Sequence, residues 1–149
     1  MSNHIKRLAA PKSWAIPRKM YPFAPKSSPG PHPQDRSLPL LIVLRDVLHL
    51  GNNRREVKKI LNSRVIKIDG RVITDLKFPI GFMDVISIEG IDAHYRVLYD
   101  VSGRLRVMEI PKENAEWKLV RIENKTAVKG GKIQLNLHDG RNILLDENK

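Results

Sequence analysis

The feature that most limits what this chain can fold into is the placement of its prolines. Seven of the ten lie between Pro11 and Pro33, with Ser27, Ser28 and Gly30 among them. Proline fixes φ and removes a backbone donor, so neither a sustained helix nor a central strand can run through residues 1–37. An extended arm is predicted there. It carries Lys6, Arg7, Lys12, Arg18, Lys19 and Lys26, interleaved with Trp14, Tyr21 and Phe23. Such a mixture can pair with phosphates and stack on unpaired bases or sugars. The competing reading is a tail whose aromatics tuck onto a folded domain.

The pattern changes at Ser37. Leu40, Leu41, Val43, Leu44, Val47, Leu48 and Leu50 fall on one broad face of a helix, with Arg45, Asp46 and His49 opposite. Ser37 is placed to cap this helix, Pro39 to sit in its first turn and Gly51 to end it. A second helix is expected from Asn53, which forms a capping pattern with Glu56 three residues later. Along it Val57, Ile60 and Leu61 share one side. Arg54, Arg55, Lys58 and Lys59 occupy an arc of about 140° on the other. Like charges one turn apart repel by a few tenths of a kcal/mol each, so a polyanionic partner gives this pattern a physical reason. A merely solvated helix face is the bland alternative.

Next come Val65, Ile66 and Ile68, then Asp69-Gly70, then Val72 and Ile73. Asp-Gly between β-branched runs predicts a tight hairpin. Pro79 and Gly81 read as a turn before a strand at Val85, Ile86 and Ile88. Arg64, Lys67 and Arg71 would carry the cationic face across the hairpin. A helix pair alone could be a DNA-reading helix-turn-helix, but the hairpin argues against it. From Tyr95 onward the pattern is β. Tyr95 to Val101 and Leu105 to Ile110 flank a turn at Ser102-Gly103, Trp117 to Ile122 reads as a strand, and later turns fall at Gly130-Gly131 and Asp139-Gly140. The fold class is thus α+β: a basic arm over 1–37, a two-helix and hairpin module over 38–90, and a small β domain over 91–149.

Charge supports a polyanionic partner. The net formal charge is +11, with +6 on residues 1–37, +4 on 38–88 and +1 on 89–149. There is no cysteine, which excludes disulfides, thiol catalysis and cysteine-ligated zinc. The apolar run Leu40 to Leu44 is far short of a membrane span and the N-terminus lacks a signal-peptide stretch, so a cytosolic protein is predicted. His4, His32, His49, His94 and His138 lie in separate segments without paired spacing, and Glu113 and Glu116 have no acid/base partner nearby. No metal, cofactor, catalysis or small-molecule substrate is expected.

Several separated stretches together resemble a known family: KRLAAPKSW (Lys6 to Trp14), SPGPHPQDRSLPLLIVLR (Ser28 to Arg45), IKIDG (Ile66 to Gly70), FPIGFMDVISI (Phe78 to Ile88), YRVLYDVSGRL (Tyr95 to Leu105) and HDGRNI (His138 to Ile143). They are similar to the archaeal and eukaryotic small-subunit ribosomal protein family S-four-e. The resemblance implies that residues 38 to about 88 form the αL-type RNA-binding domain shared by several ribosomal proteins and RNA-modifying enzymes. It also implies that the arm lies along 16S-type ribosomal RNA, with neighbouring small-subunit proteins as further partners. Lys6, Arg7, Lys12, Trp14, Arg45, Arg54, Lys58, Lys59 and Lys67 become the expected contacts by this route. Members of the family usually continue into a C-terminal KOW-type barrel, which has no counterpart before Lys149. Similar modules also precede pseudouridine synthase domains, whose catalytic Asp follows a Gly-Arg-Leu run. Here Gly103-Arg104-Leu105 is followed by Arg106, which cannot act as a carboxylate. A free RNA-binding regulator of translation is the remaining alternative to a constitutive ribosomal component.

Overall fold

A computed structural model describes residues 3–145. Residues 1–2 of the expected arm and 146–149 of the expected β domain lie outside the described residues. Two compact units are present, one ending at Lys118 and the other beginning at Leu119.

In the first unit the arm supplies two short strands, β1 (His4–Lys6) and β2 (Phe23–Pro25), paired antiparallel with Ile5 opposite Ala24. The proline-rich chain between them forms no long element, as the fixed φ values require. It is nevertheless not an extended arm. Ala10, Trp14, Ile16 and Ala24 are buried and belong to the same apolar cluster as the module's helices and strands. The Trp14 indole Nε1 donates to the Ser37 carbonyl at 2.7 Å, and the Leu105 N–H donates to the Ser13 carbonyl at 2.8 Å. Backbone donors lost to proline are thus replaced by side-chain and cross-chain bonds that seat the segment on the core.

β3 (Ser37–Pro39) leads straight into the short helix α1 (Leu40–Ile42), which continues as a π-helical turn, Val43–Val47. Ser37 is therefore a strand residue and not the helix cap; its hydroxyl donates to the Pro33 carbonyl. The helix also stops before Gly51. Leu48 N–H donates back five residues to Val43, and His49 takes the left-handed conformation at φ 52°. α2 (Arg54–Asn62) begins as expected, with Asn53 Oδ1 accepting from the N–H groups of Arg55 and Glu56, and Glu56 accepting in return from Asn52 N and Asn53 Nδ2. This reciprocal cap satisfies two of the orphan donors of the first turn, the N–H groups of Arg55 and Glu56.

β4 (Ile66–Ile68) and β5 (Arg71–Val72) form the hairpin, with Asp69 at φ 48° and Gly70 at φ 77°. Both central residues at positive φ make a primed turn that matches strand twist. Pro79–Gly81, read as a turn, is instead a strand, β6, paired with β3. β7 (Val85–Ile88), β8 (Ala93–Tyr99) and β9 (Leu105–Ile110) complete a five-stranded sheet in the order β5-β4-β7-β8-β9. The expected division at residue 90 falls inside this sheet, because β7 and β8 are antiparallel neighbours from Val85–Arg96 to Ile88–Ala93. A short helix, α3 (Lys112–Ala115), follows. Trp117, expected in a strand, precedes the strand region; the Arg96 guanidinium lies 4.3 Å from its ring.

Leu38, Leu40, Ile42, Leu44, Val57, Leu61, Ile66, Ile80 and Ile86 form the centre of this unit's core, all essentially inaccessible. Fully burying such side chains stabilises by about 1.5–3 kcal/mol each before entropy is counted. The second unit is a three-stranded antiparallel sheet of β10 (Ile122–Ala127), β11 (Ile133–Leu137) and β12 (Asn142–Leu145), turning at Gly130-Gly131 and Gly140, all at positive φ.

Candidate nucleic-acid interface

α2 is the most regular cationic element. Val57 and Leu61 are buried and Ile60 is half-buried, while Arg54, Arg55, Lys58 and Lys59 are all exposed. None of these four side chains makes an ion pair or hydrogen bond with a described residue. The sole acid of the first turn, Glu56, is committed to the cap. The four charges therefore face solvent uncompensated, with full capacity for an external anion.

The remaining cations differ in availability. Arg64 is exposed in the turn after α2, at φ 60°. Arg71 is exposed at the start of β5, opposite Ile68. Lys67 projects from the face of β4 opposite buried Ile66 and Ile68, and it is paired with Glu89. Arg45 is half-buried and bound bidentately by Asp46, through Nε to Oδ1 at 2.6 Å and Nη2 to Oδ2 at 2.8 Å. An outside phosphate would have to compete with a neighbour already in ideal geometry, which makes Arg45 a poor contact.

In the arm, Lys6, Lys12 and Lys19 are exposed and Lys26 is half-buried. Lys6 Nζ lies 4.6 Å from the Phe23 ring centre. Arg7 and Trp14 do not belong to an accessible surface. Arg7 is 2% exposed, its Nε donating to the Pro17 carbonyl at 2.5 Å and its guanidinium standing 5.4 Å from the Tyr21 ring. Trp14 is also 2% exposed, so its ring packs in the core and cannot stack on a base. Arg18 is half-buried and donates to the Ala10 and Pro11 carbonyls at 2.8 and 2.9 Å. Arg7, Trp14 and Arg18 thus hold the arm in shape, leaving its lysines facing outward. The sequence signal for this is the pair Trp14 and Ile16, apolar side chains set between Lys12 and Arg18.

A polar cluster that spacing could not disclose lies in the same unit. His32 and Asp84 are buried together, with Nε2 3.0 Å from Oδ1. Lys118 Nζ donates to Asp84 Oδ1 at 2.6 Å and to Asp69 Oδ2 at 2.8 Å. Asp84 Oδ2 accepts from Gly81 N–H, and Asp69 Oδ1 accepts from Val85 N–H, both carboxylates thereby pinning backbone turns. Burial pushes the Asp84 carboxyl up, but the bond and attraction from His32, together with the charge of Lys118, outweigh it and hold it below the usual carboxylate value. Burial likewise pulls Lys118 down, and the two carboxylates more than reverse this, leaving its ammonium above the ordinary lysine value. The cluster ties the hairpin turn, the β6–β7 turn and the end of the first unit into one charged knot. Every carboxylate oxygen named here is matched by a donor, which marks a structural clamp instead of a reactive centre. Arg106, standing where a synthase would have its Asp, is an exposed residue paired with Asp100 at 3.0 Å.

Compared with known proteins, residues 1–35 match the RS4NT domain, residues 38–86 the S4 domain and residues 91–149 the ribosomal family S4e. The chain is 52% identical over 147 residues to the small ribosomal subunit protein eS4 of Desulfurococcus amylolyticus, covering 99% of this chain and 58% of that protein. It is 50% identical over 142 residues to the protein of the same name from Methanocaldococcus jannaschii, covering 95% of this chain and 57% of that one. The crystal structure of the 30S ribosomal protein S4e from Thermoplasma acidophilum is similar at 42% identity and a TM-score of 0.63, covering 76% of this chain and 58% of that chain. The chain thus spans somewhat under three-fifths of the length of these relatives.

Proposed function

Because the chain belongs to the ribosomal family S4e, we propose that it is a structural constituent of the small ribosomal subunit, in the cytoplasm, that binds 16S-type ribosomal RNA. The observation that carries this reading is the uncompensated cationic face of α2, four exposed Arg and Lys side chains on a helix whose other side is fixed in the core. Such a rigid basic face suits the phosphates of a folded RNA, where contacts position the protein and shape is read more than sequence. Lys6, Lys12, Lys19 and Lys26 of the arm, with Arg64, Lys67 and Arg71 of the hairpin region, widen the contact. Neighbouring small-subunit proteins are its further partners. The role is architectural and involves no catalysis.

Co-sedimentation tests this directly. After a salt wash of ribosomes from a cell expressing the tagged chain, it should travel with the small subunit and with its RNA. Its recovery only in the soluble fraction would refute the assignment.

A further inference from the structure

On the first unit, away from the residues of α2, an open cleft lies between the arm and the β8–β9 turn. Lys12 and Arg18 enter it from the arm, and Ser102 and Arg104 from the turn, over a floor of Trp14 and Pro17. Its lining contains three cations and a hydroxyl but no carboxylate. Neither Lys12 nor Arg104 makes a side-chain ion pair or hydrogen bond with a described residue.

Both walls are held. The turn is closed by Asp100 N–H to the Arg104 carbonyl at 2.8 Å, with Gly103 at φ 72° donating to Asp100. The arm is locked to the beginning of β9 by the Leu105 N–H to Ser13 bond and the Trp14–Leu105 bridge, and Ser13 Oγ donates to the Asp35 carbonyl at 2.7 Å. Arg18 acts as a strut across the 8–11 bend through its carbonyl bonds. Asp100, the nearest acid along the chain to Arg104, is engaged with Arg106 and with Val101 N–H. Like charges gathered in a preformed concavity repel at a cost that an anion removes.

Resting on the ribosomal RNA reading above, we infer that this cleft is a second phosphate-binding site, which takes the sugar-phosphate backbone of the same RNA. Lys12 and Arg104 are its phosphate ligands, Ser102 is a hydroxyl donor, and Arg18 is a positioning residue. The site lies between the arm and the β8–β9 turn, outside residues 38–86 that match the S4 domain. It joins Lys12 of the arm to Ser102 and Arg104 of the turn in one binding surface.

The test uses the full chain and deproteinised small-subunit ribosomal RNA, with affinity measured over a range of salt. The double variant Lys12→Ala/Arg104→Ala should show a log affinity against log salt slope shallower by about 0.7–0.9 for each phosphate it no longer neutralises. Arg104→Glu should weaken binding more than Arg104→Ala. Both positions are exposed, so circular dichroism melts of the variants should superimpose on the parent. Unchanged slopes for a parent that binds tightly would overturn the inference and leave the assignment to the ribosome standing. A parent that does not bind would overturn both. Inorganic phosphate alone should perturb the Ser102 and Arg104 amide resonances only weakly. Tight binding of it, with RNA affinity indifferent to the substitutions, would mean a small-anion site and sink the proposal.

Discussion

Trp14→Ala tests whether the proline-rich segment is a tether or a wall of the core. The indole is 2% exposed, sits in the apolar cluster beside the module's helices and strands, and donates to the Ser37 carbonyl at 2.7 Å. Truncating a buried aromatic costs about 3–5 kcal/mol through the forfeited transfer energy and the cavity left behind. The Ser37 residue is itself wholly buried, so its carbonyl loses a donor that water cannot easily replace, which adds about 1 kcal/mol or more. Domains commonly hold only about 5–15 kcal/mol in total, so the variant should lose a large share of its stability. Urea unfolding of parent and variant, followed by far-UV circular dichroism, measures the difference. A loss under about 1 kcal/mol would show that the segment is dispensable to the fold and that its packing on the core is incidental. By the same physics, deleting residues 1–37 should destabilise the module, contrary to what an extended arm would imply.

Two further outcomes follow from the buried clamp. Gly81→Ala should destabilise by at least about 1–3 kcal/mol, as overpacking does, because a Cβ there would lie 2.3 Å from the His32 ring; thermal unfolding reads it, and an unshifted midpoint would contradict the close approach. Asp84→Asn should cost about 3 kcal/mol, the lower end for breaking a buried pair, since Lys118 keeps Asp69. It should also change the acid limb of stability. A carboxyl held below its ordinary value of 3.8 contributes stability that is present above that value and lost as pH falls through the folded value, so the parent should lose an increment below about pH 4 that the variant lacks. Lys118, raised above 10.5, contributes fully below that pH and is lost only above it, so both charges are in place across the neutral range. Parallel stability curves in acid would refute the assigned pairing.

What could be read from sequence was local. The Asn53–Glu56 cap, the amphipathic split of α2 and the Asp69-Gly70 hairpin all depend on neighbours within four residues, and each is found where the pattern puts it. The first helix was only half legible. Its apolar face is real, but Ser37 and Pro39 have a strand partner in β6, and such pairing across about forty residues leaves no local trace. Charge by itself could not separate an exposed lysine from an arginine used as an internal strut. Lys12 and Arg18 look alike in composition, yet Arg18 is bonded to three carbonyls and Lys12 to none among the described residues. The His32–Asp84–Lys118 cluster joins residues up to 86 positions apart, beyond the reach of any spacing argument.

The central claim is that α2 presents its four cations to ribosomal RNA phosphates. The most direct measurement is the salt dependence of binding to small-subunit ribosomal RNA by the full chain and by the variant with Arg54, Arg55, Lys58 and Lys59 all changed to Ala. All four are exposed and alanine favours helix, so the variant should fold as the parent does. Its slope of log affinity against log salt should be shallower by about 0.7–0.9 for each phosphate left without its cation, approaching a difference of about three if all four engage. Equal slopes for the two proteins would contradict the claim.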